Sequence, residues 1–281
     1  MPKEVFHLLF AAHDTRLEVD IENGDAKNIA ILRIQLPLRF VSPNRLPIPS
    51  SQFFQGECKF IRIMAESVGS RNMDKKLIQI DISSDTVCPW CFVGKKNLDK
   101  AISASQDQYD FELNWHPFQL NPTAPKEGVV KTEYYRSKFG IQSEQMEARM
   151  AEVFRGLGLD YDTSGLTGNT LESHKLIYLA GQQGLGKQHD LVEELCLGYF
   201  TQGKYIGDRD FLLECARKAG VEGAAEFLET ADNGVKEVKE ELEKYSGKIS
   251  GVPFYVINGK HKLSGAQPPE VFLRAFQVAG K

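Results

Sequence analysis

The strongest constraint on the fold is a pair of cysteines two residues apart, Cys88 and Cys91, placed between a strand pattern and a helix pattern. The preceding residues 77–82 are mostly apolar and rich in isoleucine over the length of a buried strand. After the cysteines, apolar residues recur at helical spacing from Phe92 to Ile102. The sequence therefore predicts a strand, a cysteine turn and a helix in that order, with the first cysteine at the start of the helix.

The order of the remaining patterns indicates an α/β fold. Residues 111–115 alternate between apolar and polar side chains, which predicts a second strand that ends before Pro117. The dipeptide Asn258-Gly259 separates two short apolar runs and predicts a hairpin. Pro268 and Pro269 then open a last helix. Since residues 129–248 are helical throughout in character, the predicted order is β-α-β, a helical block, and then β-β-α.

Capping signals divide the helical block. Ser143 is predicted to cap one helix, Asn169 or Thr170 to start a second, and Asp208 to cap a third. A charged segment over residues 235–245 predicts a further helix before the return to strands.

Charge and composition exclude several classes of protein. Lysine and arginine total 34 against 38 aspartate and glutamate, and the net charge of −4 would repel phosphate backbones and anionic lipid. We therefore predict neither nucleic-acid binding nor membrane association. Every apolar run is too short to form a spanning helix, which needs roughly 18 such residues. Five cysteines in 281 residues are too few for a disulfide-stapled secreted scaffold.

The first part of the chain, residues 1–74, has no sustained period and is predicted to be a leader that is poorly ordered or dispensable. A secretory signal is disfavoured because the apolar stretch is short and broken by His7. A transit peptide is disfavoured because acidic residues are frequent there. A further hypothesis is that the working protein begins at Met64 or Met73. Residues 75–281 form the predicted folded domain.

The cysteine pair suits thiol–disulfide chemistry. A helix N-terminus stabilises a thiolate, so Cys88 is the predicted nucleophile, and Cys91 is placed to resolve a mixed disulfide. Pro89 restricts the backbone conformation of the turn, and Trp90 provides a flat apolar surface beside the sulfur. We therefore predict catalytic roles for the two cysteines and supporting roles for the residues between them.

Two alternative roles for the cysteine pair are a structural zinc site and an inert pair of core thiols. A structural zinc site would need two further ligands, and no second Cys-x-x-Cys pair occurs, so no metal is predicted. An inert pair of core thiols is the other alternative. Cys196 and Cys215 lie on apolar helical faces and are predicted to be small core residues. His116 is predicted to be a hydrogen-bonded strand residue in preference to a catalytic base.

Four separated motifs resemble the DsbA-like branch of the thioredoxin superfamily, and most of all its FrnE-type oxidoreductases. They are the cysteine motif, Trp115-His116-Pro117-Phe118, Gly251-Val252-Pro253-Phe254 and Ser264-Gly265-Ala266-Gln267-Pro268. The resemblance implies a thioredoxin-like fold with a large all-helical insertion, about residues 125–248, between the second and third strands. It also implies that Pro253 is a cis proline facing the redox pair, and that the backbone of Val252 binds the substrate peptide or glutathione.

Two comparisons within this branch refine the expected chemistry. Strongly oxidising members have histidine at the position of Trp90, so the resemblance implies a less oxidising pair here. The related 2-hydroxychromene-2-carboxylate isomerases and kappa-class glutathione transferases usually have serine at the first reactive position. The presence of both Cys88 and Cys91 therefore favours thiol–disulfide exchange by a cysteine pair over glutathione conjugation.

The resulting prediction is a cytoplasmic protein disulfide oxidoreductase that acts as a reductase or isomerase on disulfide- or thiol-containing proteins or glutathione. No bound cofactor is predicted, although glutathione is a possible co-substrate. The glycine-rich residues 181–186 follow no strand and are predicted to be a helix-to-helix loop, not a nucleotide site. The alternatives are a glutathione-dependent transferase or isomerase of a small aromatic substrate, and a non-catalytic binding module.

Overall fold

The computed structural model describes residues 75–281 of the chain, so the predicted leader and Cys58 lie outside the described residues. The described part contains six strands and nine α-helices. The strands are β1 (Lys76–Ser84), β2 (Tyr109–Pro117), β3 (Val129–Val130), β4 (Leu166–Thr167), β5 (Phe254–Ile257) and β6 (His261–Ser264). The helices are α1 (Pro89–Ser103), α2 (Lys131–Phe139), α3 (Ser143–Gly156), α4 (Leu171–Gln183), α5 (Leu185–Thr201), α6 (Arg209–Lys218), α7 (Ala224–Glu229), α8 (Val235–Glu241) and α9 (Pro269–Ala279).

Four strands form the main sheet in the order β2-β1-β5-β6. Strands β1 and β2 are parallel and are joined by α1, whereas β5 pairs antiparallel with β1 and with β6. The three isoleucines at 78, 80 and 82 are fully buried in the central strand β1. Alternation along the strand therefore places these three side chains on one face of the sheet. The strand itself lies where the sequence predicted it.

The hairpin and several helix boundaries agree with the sequence patterns. Asn258 and Gly259 both have positive φ, as the central residues of a type I′ turn do, and the Lys260 N–H donates a 3.1 Å hydrogen bond to the Ile257 carbonyl across this turn. The Asp208 carboxylate accepts a hydrogen bond of 2.8 Å from the Phe211 N–H and so caps α6. Ser143 instead is the first residue of α3 and makes no capping bond. Strand β2 includes Pro117, where the sequence predicted an earlier end.

The insertion between β2 and β5 is helical, as predicted, with two local differences. Helix α8 ends at Glu241 and continues as a π-helical turn over Leu242–Ser246. The short strands β3 and β4 form an antiparallel pair inside the insertion. Two-residue strands are too short to show an alternating pattern, which is why the sequence did not predict them.

One aromatic cluster joins α1 to two helices of the insertion, α3 and α5. Phe92 of α1 stacks on Phe200 of α5, with ring centroids 5.9 Å apart, and Phe154 of α3 contacts both rings. All three rings are fully buried. The helix that follows the cysteines is therefore held between the insertion on one side and β5 and α9 on the other. None of the helices within residues 75–281 is long and apolar enough to cross a membrane.

Candidate active site

The two cysteines lie at the N-terminus of α1, directly after the carboxyl end of β1. Cys88 is the N-cap residue, and Pro89 occupies the first helical turn, where its missing N–H costs no helical hydrogen bond. The Cys88 carbonyl accepts hydrogen bonds from the N–H groups of Cys91 and Phe92. Both thiols are free and nearly buried. The first sulfur therefore lies where unpaired amide groups and the helix dipole favour an anion.

Cys91 lies one turn deeper in the protein. Burial raises the pKa of its thiol well above the ordinary value, and the hydrogen bond and charge of Cys88 raise it further. The Ser84 hydroxyl and the Asp85 backbone act in the opposite direction by hydrogen bonding to the sulfur. Burial therefore favours the protonated form of the Cys91 thiol, and the two thiols lie in different environments.

The loop before β5 brings Val252 and Pro253 to the cysteines. The Cys88 thiol donates a hydrogen bond of 3.8 Å to the Val252 carbonyl oxygen, and the Val252-Pro253 peptide bond is cis. Gly94 permits this approach, because a Cβ atom there would overlap the Tyr255 hydroxyl and lie 3.1 Å from Pro253 Cγ. The structure therefore brings together the cysteines and the two residues that the resemblance singled out.

A cavity of about 360 Å³ opens beside Cys88. Its lining includes Pro89, Trp90 and Val252 around Cys88, and most of the remaining lining residues come from the insertion. The apolar residues among these are Leu120, Ala124, Pro125, Val129, Tyr134, Tyr135, Phe139, Met146, Met150 and Tyr161. Polar and charged side chains also line the cavity, namely those of Asp85, Asn121, Lys138, Ser143, Glu147, Thr167 and Thr170. The sequence carries no local signal for this cavity, because its residues come from several separate segments that only the folded chain brings together.

Asp85 is a buried acid at this site that the sequence patterns did not single out. Its carbonyl accepts the Cys88 N–H, and its carboxylate accepts a 2.7 Å hydrogen bond from the Leu120 N–H. The second carboxylate oxygen lies 3.5 Å from His174 Nε2, which also hydrogen bonds to the Phe118 carbonyl at 2.9 Å. Asp85 therefore connects the cysteine turn to the beginning of the insertion.

Tyrosine and threonine hydroxyls and a buried lysine lie in or beside the part of the cavity lining that the insertion contributes. The Tyr199 hydroxyl donates a 2.8 Å hydrogen bond to Thr167, and burial raises the pKa of Tyr135. Lys131 is 1% exposed and lies 4.0 Å from the centre of the Tyr199 ring. Burial lowers the pKa of Lys131 to about 8, against a smaller raising effect of Asp162.

A cluster of charged side chains around the buried Lys95 holds α1 against α5. The Lys95 ammonium lies 2.9 Å from carboxylate oxygens of both Asp99 and Glu193, which joins α1 to α5. His189 hydrogen bonds to Asp99 and accepts the Trp115 indole N–H at 3.2 Å. Burial disfavours the Lys95 ammonium, but the two carboxylates outweigh it and raise the pKa of this lysine. The redox helix is therefore anchored to the insertion by charges as well as by aromatic packing.

The remaining candidate residues do not line the cavity beside Cys88. Cys196 and Cys215 are buried, and burial raises the pKa of the Cys215 thiol to about 12. His116 is hydrogen bonded to Asp81 and Glu241, in agreement with its predicted structural role. Within residues 75–281 there is no cluster of three or more potential ligands for a metal ion.

The fold and the paired cysteines define a thioredoxin-like domain with a helical insertion. Residues 79–277 match the DSBA-like thioredoxin domain family, and the chain belongs to that family. The family-level resemblance carried by the four motifs and the predicted fold are thereby confirmed.

Individual relatives agree with this assignment. A probable DsbA oxidoreductase from Streptomyces coelicolor is 30% identical, with a TM-score of 0.65 over 72% of this chain and 89% of that chain. An uncharacterized protein of Bacillus subtilis (strain 168), YwbO, is 26% identical over 70% of this chain and 95% of its own length. A 2-hydroxychromene-2-carboxylate isomerase shares the fold, with 13% identity and a TM-score of 0.54 over 71% of this chain and 94% of that chain.

Proposed function

We propose that the protein is a thiol–disulfide oxidoreductase that reduces or isomerises disulfides of other polypeptides. The Cys88 thiolate attacks one sulfur of the substrate disulfide, forms a mixed disulfide and releases the other sulfur as a thiolate. Cys91 then loses its proton and attacks Cys88, which forms the Cys88–Cys91 disulfide and releases the second substrate thiolate. Two electrons pass from the pair to the substrate, and the released thiolates take up protons.

The arrangement of the two sulfurs carries this proposal. Cys88 lies at a helix N-terminus against the Val252 carbonyl, whereas Cys91 is deeper and has a raised pKa. A protonated second thiol does not compete with Cys88 for the substrate disulfide. The hydrogen bonds from Ser84 and the Asp85 backbone lower the cost of ionising Cys91 when the mixed disulfide must be resolved. The backbone at Val252 and Pro253 is the proposed binding site for the substrate segment that flanks the reacting sulfur.

The direction of electron flow is part of the proposal. Trp90 follows Pro89 and is 39% exposed, so no cationic side chain between the cysteines stabilises the Cys88 thiolate. A less stabilised thiolate makes the dithiol a better electron donor. We therefore place the protein in the cytoplasm, where a thiol or dithiol reductant would restore the pair after each reaction.

The test is a redox titration of the pair. Protein is equilibrated in buffers of increasing ratio of oxidised to reduced dithiothreitol, and the Cys88–Cys91 disulfide is quantified by alkylation and mass spectrometry. A reversible two-electron transition with a midpoint in the range of reducing thioredoxin-like proteins is expected. The Cys91→Ser variant should instead accumulate a mixed disulfide on Cys88 when it is mixed with a disulfide-containing protein.

Two results would overturn the proposal. One is that the pair forms no intramolecular disulfide in any buffer. The other is that the protein retains only a stable glutathione adduct and shows no reduction of protein disulfides, which would favour the transferase or isomerase alternative. The Cys88→Ser variant is the control, because it retains Cys91 but lacks the nucleophile.

A further inference from the structure

A buried hydroxyl in strand β5 has no hydrogen-bond partner. Tyr255 lies opposite Ile82 of the central strand β1, and its side chain is fully buried. Its ring packs edge-on against Phe272 of α9, with ring centroids 4.9 Å apart, and its hydroxyl makes no hydrogen bond to any described residue. Buried hydroxyls are normally paired, because an unpaired one has lost its hydrogen bonds to water without replacement. The Tyr255 hydroxyl therefore calls for an explanation.

This hydroxyl differs in kind from the other unpaired polar atoms. Within residues 75–281, three buried side-chain nitrogen or oxygen atoms have no hydrogen-bond partner, namely the Tyr255 hydroxyl and one carboxylate oxygen each of Asp85 and Glu193. The two carboxylate oxygens are acceptors, and each lies within 3.5 Å of a nitrogen of a basic side chain. The hydroxyl is the one donor of the three. The atom that it lacks is an acceptor.

The hydroxyl lies against the turn of α1 that contains Cys91. A Cβ atom on Gly94 would overlap the hydroxyl oxygen and lie 3.1 Å from Pro253 Cγ. Gly94 follows Cys91 by three residues and so shares its face of the helix, and the Cα–Cβ bonds of a helix point toward its N-terminus. The hydroxyl is therefore on the Cys91 side of Gly94. Tyr255 does not line the cavity beside Cys88, so its hydroxyl faces the protein side of the cysteine pair.

The charges of both sulfurs act on this hydroxyl. Burial raises the pKa of Tyr255 well above its ordinary value, and negative charge on Cys91, and then on Cys88, raises it further. The hydroxyl therefore keeps its proton and acts as a hydrogen-bond donor. Cys91 itself is 2% exposed, so a thiolate at this position is shielded from water and depends on donors of the protein.

We propose that the Tyr255 hydroxyl donates a hydrogen bond to the Cys91 thiolate during the resolving step, which makes Tyr255 a further catalytic residue. This inference rests on the proposed function and adds a residue to its second step. In the reduced protein Cys91 carries its proton, and the hydroxyl has no acceptor. Once Cys88 is joined to a substrate, Cys91 must ionise before it can attack. The hydroxyl then gains an anionic acceptor, and the hydrogen bond lowers the cost of that ionisation.

The exchange itself is the one already described. The proton of Cys91 passes to the solvent, the bond between the sulfurs of Cys91 and Cys88 forms, and the bond from Cys88 to the substrate breaks. The substrate sulfur leaves as a thiolate with the electron pair of that bond. Tyr255 keeps its own proton and supplies no electrons.

The test follows the two chemical steps separately in the wild-type protein and in Tyr255→Phe, which lacks only the hydroxyl. Fully reduced protein is mixed with an equimolar amount of 2,2′-dithiodipyridine at a series of pH values from acid to alkaline. The leaving group of this disulfide departs readily across the series, so the second step reports the ionisation of Cys91. Samples are quenched with acid and N-ethylmaleimide, and mass spectrometry quantifies the mixed disulfide on Cys88 and the Cys88–Cys91 disulfide.

The second step should accelerate with pH up to a plateau. In Tyr255→Phe the midpoint of this rise should move up by about one pH unit, because a hydrogen bond to an ionised group is worth about that much. Below both midpoints the variant should resolve the mixed disulfide several-fold more slowly. On the plateau it should be at least as fast as the wild-type protein, since a thiolate of higher pKa is the better nucleophile. The first step, attack by Cys88, should not change.

Two further variants and one further measurement separate this role from packing. Tyr109→Phe is the control, because Tyr109 pairs with Lys76 at the end of β1 away from the cysteines, and it should retain the wild-type midpoint. Tyr255→Met also lacks the hydroxyl and should raise the midpoint too, so the test does not depend on one variant. In urea unfolding of the reduced proteins, Tyr255→Phe should be no less stable than the wild-type protein, because the hydroxyl has no partner to lose.

The outcomes are distinct. An unchanged midpoint in both Tyr255 variants, or slower resolution by the same factor at every pH, would overturn the role of the hydroxyl and leave the proposed function in place. A lower stability of reduced Tyr255→Phe would likewise count against it, because it would mean that the hydroxyl is already paired. Failure of the wild-type protein to form the Cys88–Cys91 disulfide would overturn the proposed function itself.

Discussion

Replacement of Lys131 by methionine should change how stability depends on pH. The Lys131 ammonium donates hydrogen bonds to two backbone carbonyls, those of Tyr199 at 2.8 Å and Asp162 at 3.3 Å. Among the described residues no carboxylate oxygen lies within 4 Å of this ammonium, and the charge of Asp162 raises its pKa by less than burial lowers it. Its pKa is lowered from 10.5 to about 8, so the folded protein holds this proton less tightly than the unfolded chain does.

The sign and size of the effect follow from this difference in pKa. Between the folded pKa and the unfolded pKa the unfolded chain binds more protons, so the free energy of unfolding rises with pH over that window. The destabilising contribution of Lys131 is complete below the folded pKa and is relieved as the pH rises toward 10.5. Integration of the two titration curves gives a gain of about 2 kcal/mol between about pH 7 and about pH 9.5.

Urea unfolding of the wild-type protein and of Lys131→Met at these two pH values, with a thiol reductant present, isolates this gain. The loss of two hydrogen bonds in the variant costs the same at both pH values and does not affect the comparison. The wild-type protein should gain about 2 kcal/mol more than the variant on going to the higher pH. Lys236→Met is the control, because the Lys236 side chain is 81% exposed, and it should retain the wild-type gain. Equal gains in the wild-type protein and Lys131→Met would refute the reasoning.

Three further predictions concern packing and charge. Gly94→Ala should lower the free energy of unfolding by about 1–3 kcal/mol, because the added Cβ overlaps Tyr255. Gly186→Ala is the control, because the space around Gly186 is open, and it should not lower the free energy of unfolding. Urea unfolding measures both changes. Burial disfavours the charged form of His116, but its two carboxylate partners outweigh this effect and raise its pKa. The stabilising effect of His116 should therefore be present at acid pH and be lost as the pH rises through that pKa. The free energy of unfolding of His116→Gln should accordingly change less between acid and neutral pH than that of the wild-type protein. Phe154→Ala should cost about 3–5 kcal/mol, and thermal unfolding with an unchanged melting temperature would contradict it.

The parts of the fold that depend on local sequence were predictable. The strand before Cys88, the helix after it and the hairpin at Asn258 follow from periodicity and turn chemistry over a few residues. Asp208 was likewise predicted as a cap, because its capping partner is three residues away. Such features need no knowledge of which distant segments meet.

The parts that depend on long-range contact were not predictable in the same way. Val252 and Pro253 were placed at the site by family resemblance, since 164 residues separate Cys88 from Val252 in the chain. The burial of Lys131 and Asp85 had no local signal, because lysine and aspartate are usually exposed and only the packed insertion covers them. The cavity likewise exists only after the insertion has folded against α1.

Two parts of the chain line the cavity. The cysteines at the start of α1 and Val252 just before β5 lie beside the main sheet, whereas most of the apolar lining residues belong to α2, α3 and the β3–β4 pair. Under the proposed thiol–disulfide activity, the reacting groups and most of the surface that a substrate would contact therefore lie in separate stretches of sequence. Substitutions confined to these apolar lining residues would then change which substrate fits the cavity and leave the cysteine pair unchanged.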